Sequence, residues 1–207
     1  MKNKVNVLIV DDHPIVRMGI AGIVNSQSDM YVAGQAANGQ EAIQLFEQSG
    51  ADVTLMDLRL PDMAGAQVIR KIRLRHPDAK FLVLTTYDGD EDIFQALQAG
   101  AVGYLVKGMS HEVLLNGLRQ VHQGGQYVPS EIAQRLNQRN PQAELSGRER
   151  QVLALMAKGG SNKAIASALG IKEITVKQHV SVILAQLNVE DRTQAVLMAL
   201  RRGLVQL

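Results

Sequence analysis

The chain has 207 residues, 46% of them hydrophobic, enough for one large domain or two ordinary ones and too apolar for a disordered chain. Cysteine and tryptophan are absent and aromatics make up 3%, which excludes disulfides, thiolate metal sites and a cysteine nucleophile, and argues against stacking platforms for single-stranded nucleic acid. The net charge of +2 conceals a division, with eleven basic against fourteen acidic residues up to Gln126 and eleven against six from Tyr127 onward. An acidic front joined to a basic back predicts two domains, the back a candidate for binding nucleic acid.

The opening "MKNKVNVLIVDD" reaches two acids after too short an apolar run for a signal peptide or a membrane span. A cytoplasmic protein with no membrane association is the expectation. Strand and helix signals then alternate. "VNVLIV" (Val5–Val10) reads as a strand, and Ile15, Met18, Ile20, Ile23 and Val24 recur at helical spacing after it. "YVAGQA" is a second strand followed by the helix "GQEAIQLFEQS". "VTLM" is the third, followed by "AGAQVIRKIRLRH", and "KFLVLTT" the fourth, followed by "EDIFQALQAG". "VGYLVK" is the fifth, followed by "HEVLLNGLRQVHQGG". Five such pairs predict a five-stranded parallel sheet, doubly wound with helices on both faces, over residues 1–124. Residues 125–144 read as a linker with one short helix from about Ser130 to Asn137 and a proline at 141. From Leu145 to Leu207 every signal is helical. Ser146 and Glu149 form a capping box, Gly159-Gly160 ends a helix, Ser161 caps the next, and Gly170 turns into "EITVKQHVSVILAQL".

The third strand delivers Asp57 straight into a turn containing Pro61. Asp is depleted in strands and costly to bury unpaired, so Asp57 is either a turn or helix cap or a functional group at a strand's carboxyl end. In a parallel sheet all strand ends point one way. Asp11, Asp12, Asp57, Thr85, Thr86 and Lys107 therefore gather at one edge. Acids that close ionise together only beside a cation, and a hard oxygen-seeking ion, Mg²⁺, meets that need. Lys107 supplies a point charge suited to a phosphoryl oxygen, and Thr85 a hydroxyl. The set suits stabilising a transferred phosphoryl group, with Asp57 as nucleophile and aspartyl phosphate as product. The plainer alternative makes Asp12 and His13 a helix start before Pro14, and Thr85 and Lys107 ordinary loop residues.

Residues 5 to about 122 resemble the receiver domain of two-component response regulators, a flavodoxin-like fold. The resemblance rests on Asp11-Asp12, "MDLRLPDMAG" around Asp57, Thr85 and "GAVGYLVK" with Lys107. It implies that a histidine kinase phosphorylates Asp57. It also implies that Asp12 and Asp57 ligate Mg²⁺ directly, Asp11 acts through water, and the Arg59 carbonyl supplies a further ligand. Tyr104 matches the family's switch aromatic, which turns inward as Thr85 moves toward the phosphoryl group; as a plain core residue it would keep a wet hydroxyl. Gly108 departs from the proline many receivers carry there.

Residues 145 to about 204 resemble the LuxR-type helix-turn-helix, on "RER", "SNKAIASALGI", "TVKQH" and "RTQAV". With the receiver this resembles a NarL/FixJ-type regulator. Val176, Val180, Ile183, Leu184 and Leu187 form one apolar stripe, leaving Thr175, Lys177, Gln178 and Ser181 outward for a major groove or simply for solvent. His179 beside the stripe reads as a packing histidine. Lys172 stands where a Ser cap is common and offers a phosphate contact; Gln186 stands where a Lys is common. Val196, Leu197 and Leu200 are the expected contact between two copies, or packing within their own domain. The resemblance implies a homodimer on palindromic promoter DNA and no enzyme activity beyond self-phosphorylation and self-dephosphorylation. An aspartyl-phosphate hydrolase competes with this reading, but Arg59 stands where it needs a second acid. A receiver-like interaction module that never takes phosphate also competes, against the intact acidic set.

Overall fold

A computed structural model describes residues 4–86, 90–130, 132, 134 and 145–205. It divides into two compact units, one drawn from Met1–Asp88 and Asp92–Gln134, the other chiefly from Arg135–Leu207. In the first, β1 (Val5–Val10), β2 (Met30–Ala36), β3 (Val53–Met56), β4 (Phe81–Thr85) and β5 (Gly103–Val106) form one parallel sheet in the order β2-β1-β3-β4-β5. The connecting helices are α1 (Pro14–Asn25), α2 (Gly39–Ser49), α3 (Gly65–Arg75), α4 (Asp90–Gln98) and α5 (His111–His122). This is the doubly wound five-stranded fold that the alternating signals predict.

Strands β3 and β4 are buried at every residue, which is why they read as continuous apolar runs. On one face Val7, Ile9, Leu55, Leu82 and Leu105 pack against Ile20 and Val24 of α1 and Leu118 and Val121 of α5. The alternate residues Leu8, Met56 and Val83 are equally buried on the other face, as are Val68, Ile69 and Ile72 of α3. The helical spacing in α1 misleads at two positions. Ile15 and Met18 are 85% and 71% exposed, and Ala21 takes the buried place beside Ile20 and Val24.

Tyr127, within the expected linker, makes a parallel bridge to Gly103. Its N–H donates to the Val102 carbonyl at 3.0 Å, and its carbonyl accepts from the Tyr104 N–H at 2.8 Å. The edge of β5 is thus partly covered. The helix expected from about Ser130 to Asn137 falls for the most part outside the described residues, as does the rest of the linker to 144.

The second unit holds α6 (Gly147–Ala157), α7 (Asn162–Leu169), α8 (Glu173–Leu187) and α9 (Arg192–Arg202). Val152, Leu153 and Met156 of α6 meet Ile165 of α7, Val176, Ile183 and Leu187 of α8, and Ala195 and Ala199 of α9. Gly170 turns α7 into α8 with φ 64°, a left-handed conformation glycine adopts without steric cost. The capping box is formed. The Glu149 N–H donates to Ser146 Oγ at 3.3 Å, and the Ser146 N–H to Glu149 Oε2 at 2.6 Å. His179 Nδ1 of α8 lies 3.5 Å from Glu149 Oε1, so one carboxylate serves two helices.

Burial alone would push the Glu149 carboxyl up, but hydrogen bonds from Ser146 and then the nearby His179 hold it below its ordinary 4.5. A depressed carboxyl stabilises the fold above its unfolded value and stops doing so as pH falls through its folded value. Glu149→Gln keeps a capping side chain and loses the charge, so it is expected to cost about 1 kcal/mol at pH 7. Denaturant unfolding of both proteins from pH 7 to pH 3 checks this. The gap should narrow below about pH 4.5, and a constant gap refutes the assignment.

Candidate functional site

The strand ends are tied to one another by the backbone. The Asp11 N–H donates to Ala36 O at 3.1 Å, Asp57 to Val10 O at 2.9 Å, and Lys107 to Thr85 O at 2.8 Å. Consecutive strands thus present Asp11, Asp57, Thr85 and Lys107 at one edge. Asp11 and Asp57 are 2% and 4% exposed and Thr85 is fully buried. Lys107 Nζ lies 2.6 Å from Asp11 Oδ2 and 2.5 Å from Asp57 Oδ2, bridging the two carboxylates. Burial alone would lower the Lys107 ammonium, but its bonds to Asp11 and Asp57 outweigh burial and raise it above 10.5.

Asp57 Oδ1 accepts from the Arg59 N–H at 3.2 Å, and the Arg59 guanidinium reaches Asp92 Oδ2 of α4 at 3.5 Å. Asp12 is half-buried, and its Oδ1 is shielded from solvent without a hydrogen-bond donor. His13 Nδ1 stands 2.6 Å from that oxygen but outside hydrogen-bonding geometry. One donor atom each from Asp11, Asp12, His13 and Asp57 lies within 4.8 Å of the others. A carboxylate oxygen without a hydrogen-bond donor, among three acids, is the donor chemistry a hard divalent cation takes.

Tyr104, on β5, is fully buried. Gly108 adopts φ 100°, which a proline ring forbids, so the loop after Lys107 follows a path closed to the residue many receivers have.

Two groups were not legible as site residues in the sequence. The sequence marks His13 only as part of a helix start, although its adjacency to Asp11-Asp12 is the available signal. Asp62 accepts from the N–H groups of Gly39 and Gln40 at 2.8 and 2.9 Å, tying the loop after Asp57 to the start of α2. No local pattern marks that long-range cap.

In the second unit Lys172 is the N-cap of α8 and makes no side-chain cap bond. Lys172, Lys177, Gln178 and Ser181 are exposed and Thr175 is half-buried. Lys177 Nζ is 3.6 Å from Glu173 Oε1, and Ser181 Oγ donates to the Lys177 carbonyl at 3.1 Å. Ile174 and Val182 are also exposed, at 60% and 41%, so the free side of α8 is mixed rather than wholly polar. The Gln186 Oε1 is buried without a donor. On α9 Leu197 is 55% exposed, while Val196 and Leu200 pack partly against their own core.

Residues 7–119 match the response regulator receiver domain, and residues 143–199 the luxR family of bacterial regulatory proteins. The chain is 44% identical to the uncharacterized transcriptional regulatory protein YhcZ of Bacillus subtilis, over 96% of both chains. It is 40% identical to the response regulator VraR of Staphylococcus aureus, over 98% of this chain and 99% of that one. Among solved structures it resembles response regulator ChrA of a heme-sensing two-component system, with TM-score 0.57 and 32% identity over 98% and 99% of the chains. It also resembles RcsB in complex with DNA, with TM-score 0.69 and 25% identity over 96% and 99%. Receiver domains generally bind Mg²⁺ at such an acidic pocket, and this donor set fits it. The chain thus belongs to the response regulators of two-component systems, a receiver domain followed by a LuxR-type helix-turn-helix, and is a DNA-binding transcription regulator of the NarL/FixJ type.

Proposed function

We propose that this regulator is switched by phosphorylation of Asp57 from a sensor histidine kinase, and that the phosphorylated protein dimerises on palindromic promoter DNA in the cytoplasm. The observation that carries the first half is the buried Asp57 carboxylate facing Lys107 Nζ at 2.5 Å. One Asp57 oxygen attacks the phosphorus of a phosphohistidine in line. The P–N bond breaks, and its electron pair leaves with the imidazole, which takes up a proton. Lys107 neutralises one phosphoryl oxygen and the Thr85 hydroxyl donates to another. Asp12, Asp57 and the Arg59 carbonyl would hold Mg²⁺, with Asp11 acting through water, and the ion would supply positive charge against the carboxylate and the phosphoryl group. Tyr104, buried on β5, is the packing element that responds to movement of Thr85. The chain works as a phosphoacceptor with at most self-phosphorylation and self-dephosphorylation. No helix among the described residues is long and apolar enough to cross a membrane, which accords with a DNA-binding role.

The test is intact-mass measurement after treatment with a small-molecule phosphodonor. One phosphoryl group is expected on the wild type with Mg²⁺, none with chelator, and none on Asp57→Ala. Equal labelling of Asp57→Ala sinks the assignment, and a wild type that takes no phosphate with Mg²⁺ leaves an interaction module as the better reading.

The second half rests on α8 and on the RcsB dimers solved on DNA. One short helix offers few base contacts, each worth about 1–3 kcal/mol of discrimination, so two copies reading paired half-sites supply specificity. Lys177→Ala is expected to weaken binding to all sequences and to lower the salt slope by about 1. Reaching a phosphate costs Lys177 only an exposed pairing with Glu173, worth under about 1 kcal/mol. Gln178→Ala is expected instead to relax preference at one base pair per half-site, and Lys172, Thr175 and Ser181 flank that contact. Footprints over a salt series separate these effects. Protection of a single half-site by a phosphorylated monomer overturns the dimer.

A further inference from the structure

We infer that His13 is a fourth ligand of the receiver's cation site, and that its imidazole shifts the site's preference from Mg²⁺ toward Mn²⁺ and Co²⁺. This rests on the reading above that the acidic cluster holds a divalent cation. His13 Nδ1 is 2.6 Å from Asp12 Oδ1 and 3.3 Å from Asp11 Oδ1. All four donor atoms lie within 4.8 Å of one another. Opposite ligands of a six-coordinate ion with bonds near 2.1 Å stand roughly 4.2 Å apart and adjacent ones roughly 3.0 Å, so the direct donors of Asp12, Asp57 and His13 need to shift by less than an ångström, with Asp11 acting through water.

The position of the ring is set by backbone. The His13 N–H donates to Asp11 Oδ1 at 2.8 Å, and Pro14 fixes the first turn of α1 behind it. His13 occupies the N-cap of α1, where a side chain usually accepts a hydrogen bond from the first turn, yet it makes no such bond. The helix therefore gives no account of the imidazole. Its Nδ1 faces the carboxylates while the ring is 66% exposed, so ligation costs little desolvation.

Mg²⁺ takes hard oxygen donors and keeps its waters, whereas an imidazole nitrogen favours first-row transition ions. A His13 that merely pairs with Asp12 acts as a charge and changes affinity for every divalent ion by one factor. A ligating His13 changes affinity according to the ion. The two roles separate on selectivity.

The experiment titrates the full-length wild type, His13→Ala and His13→Asn with Mn²⁺, Co²⁺ and Mg²⁺ separately. Free Mn²⁺ is followed by its spin resonance, and pulsed measurements on bound Mn²⁺ report a directly bonded imidazole nitrogen. His13→Asn, a good helix cap, guards against loss of α1. Both variants are expected to lose at least about tenfold in Mn²⁺ and Co²⁺ affinity, as even indirect support of a ligand is worth that much. Mg²⁺ affinity should change by less than about threefold. The nitrogen coupling should be present in wild type and gone in both variants. Equal losses for all three ions, or no nitrogen coupling in wild type, overturn the role of His13 and leave the acidic site intact. A wild type that binds none of the ions overturns the cation site itself, and His13 with it.

Discussion

With alanine in place of Lys107, the protein is expected to lose about 3 kcal/mol of stability in metal-free buffer, and to regain much of it when Mg²⁺ is added. The ammonium touches both Asp11 and Asp57, which are almost wholly buried. Removing it leaves two facing carboxylates without their cation, and breaking a buried pair from one side is far more costly than never having built it. A divalent ion then replaces the lost charge, and the variant should gain more from Mg²⁺ than the wild type does. The pH dependence has a definite sign. A lysine raised in the folded state stabilises fully below 10.5 and stops doing so only as pH rises through its higher folded value. The cost of Lys107→Ala should therefore be the same at pH 6 and pH 9. Denaturant unfolding at both values, with and without Mg²⁺, measures it. A variant as stable as wild type in chelator, or one indifferent to Mg²⁺, contradicts the bridging role.

Gly65→Ala is expected to be as damaging from the opposite direction, by addition rather than removal. Gly65 opens α3 and donates its N–H to the Leu58 carbonyl at 2.8 Å, folding the turn after Asp57 tightly back. A Cβ there would overlap the Asp57 carbonyl oxygen and stand 2.9 Å from Leu58 Cα. These are backbone atoms, which cannot swing aside like a side-chain tip, so the end of β3 must move. The expected cost is about 3 kcal/mol, at the upper end for overpacking. Weakened Mg²⁺ binding should accompany it, because Asp57 moves with its backbone. Gly19→Ala is the matching control. It lies inside α1 with nothing within 4 Å of an added Cβ, and should be neutral or stabilise by up to about 1 kcal/mol. If both variants behave alike, the close approach at Gly65 has no part in shaping the site.

The sheet was readable because its central strands are buried on both faces and so carry uninterrupted apolar runs. That burial also made Asp57 conspicuous, since a carboxylate at the end of such a run needs a reason. The gathering of Asp11, Asp57, Thr85 and Lys107 followed from parallel strand direction alone. Periodicity failed where surface residues share the apolar type of core residues, as with Ile15 and Met18 on α1. Contacts between distant segments left no local trace, which is why the bonds from Asp62 to the start of α2 and from Tyr127 to the edge of β5 emerge only from the fold. Within α8 the stripe was legible but graded. Val176, Ile183 and Leu187 are buried, while Val180 and Leu184 are only half so.

The tie between Asp62 and α2 has a consequence for how this receiver can be watched. The amide protons of Gly39 and Gln40 sit at a helix start, where exchange with solvent is ordinarily fast because such groups lack partners. Here each is held by a carboxylate more than twenty residues away. Their exchange rates therefore report the opening of the loop behind Asp57 and not the fraying of α2. Two backbone amides outside the cluster thus serve as built-in sensors of its mobility, in the unaltered protein and without a label.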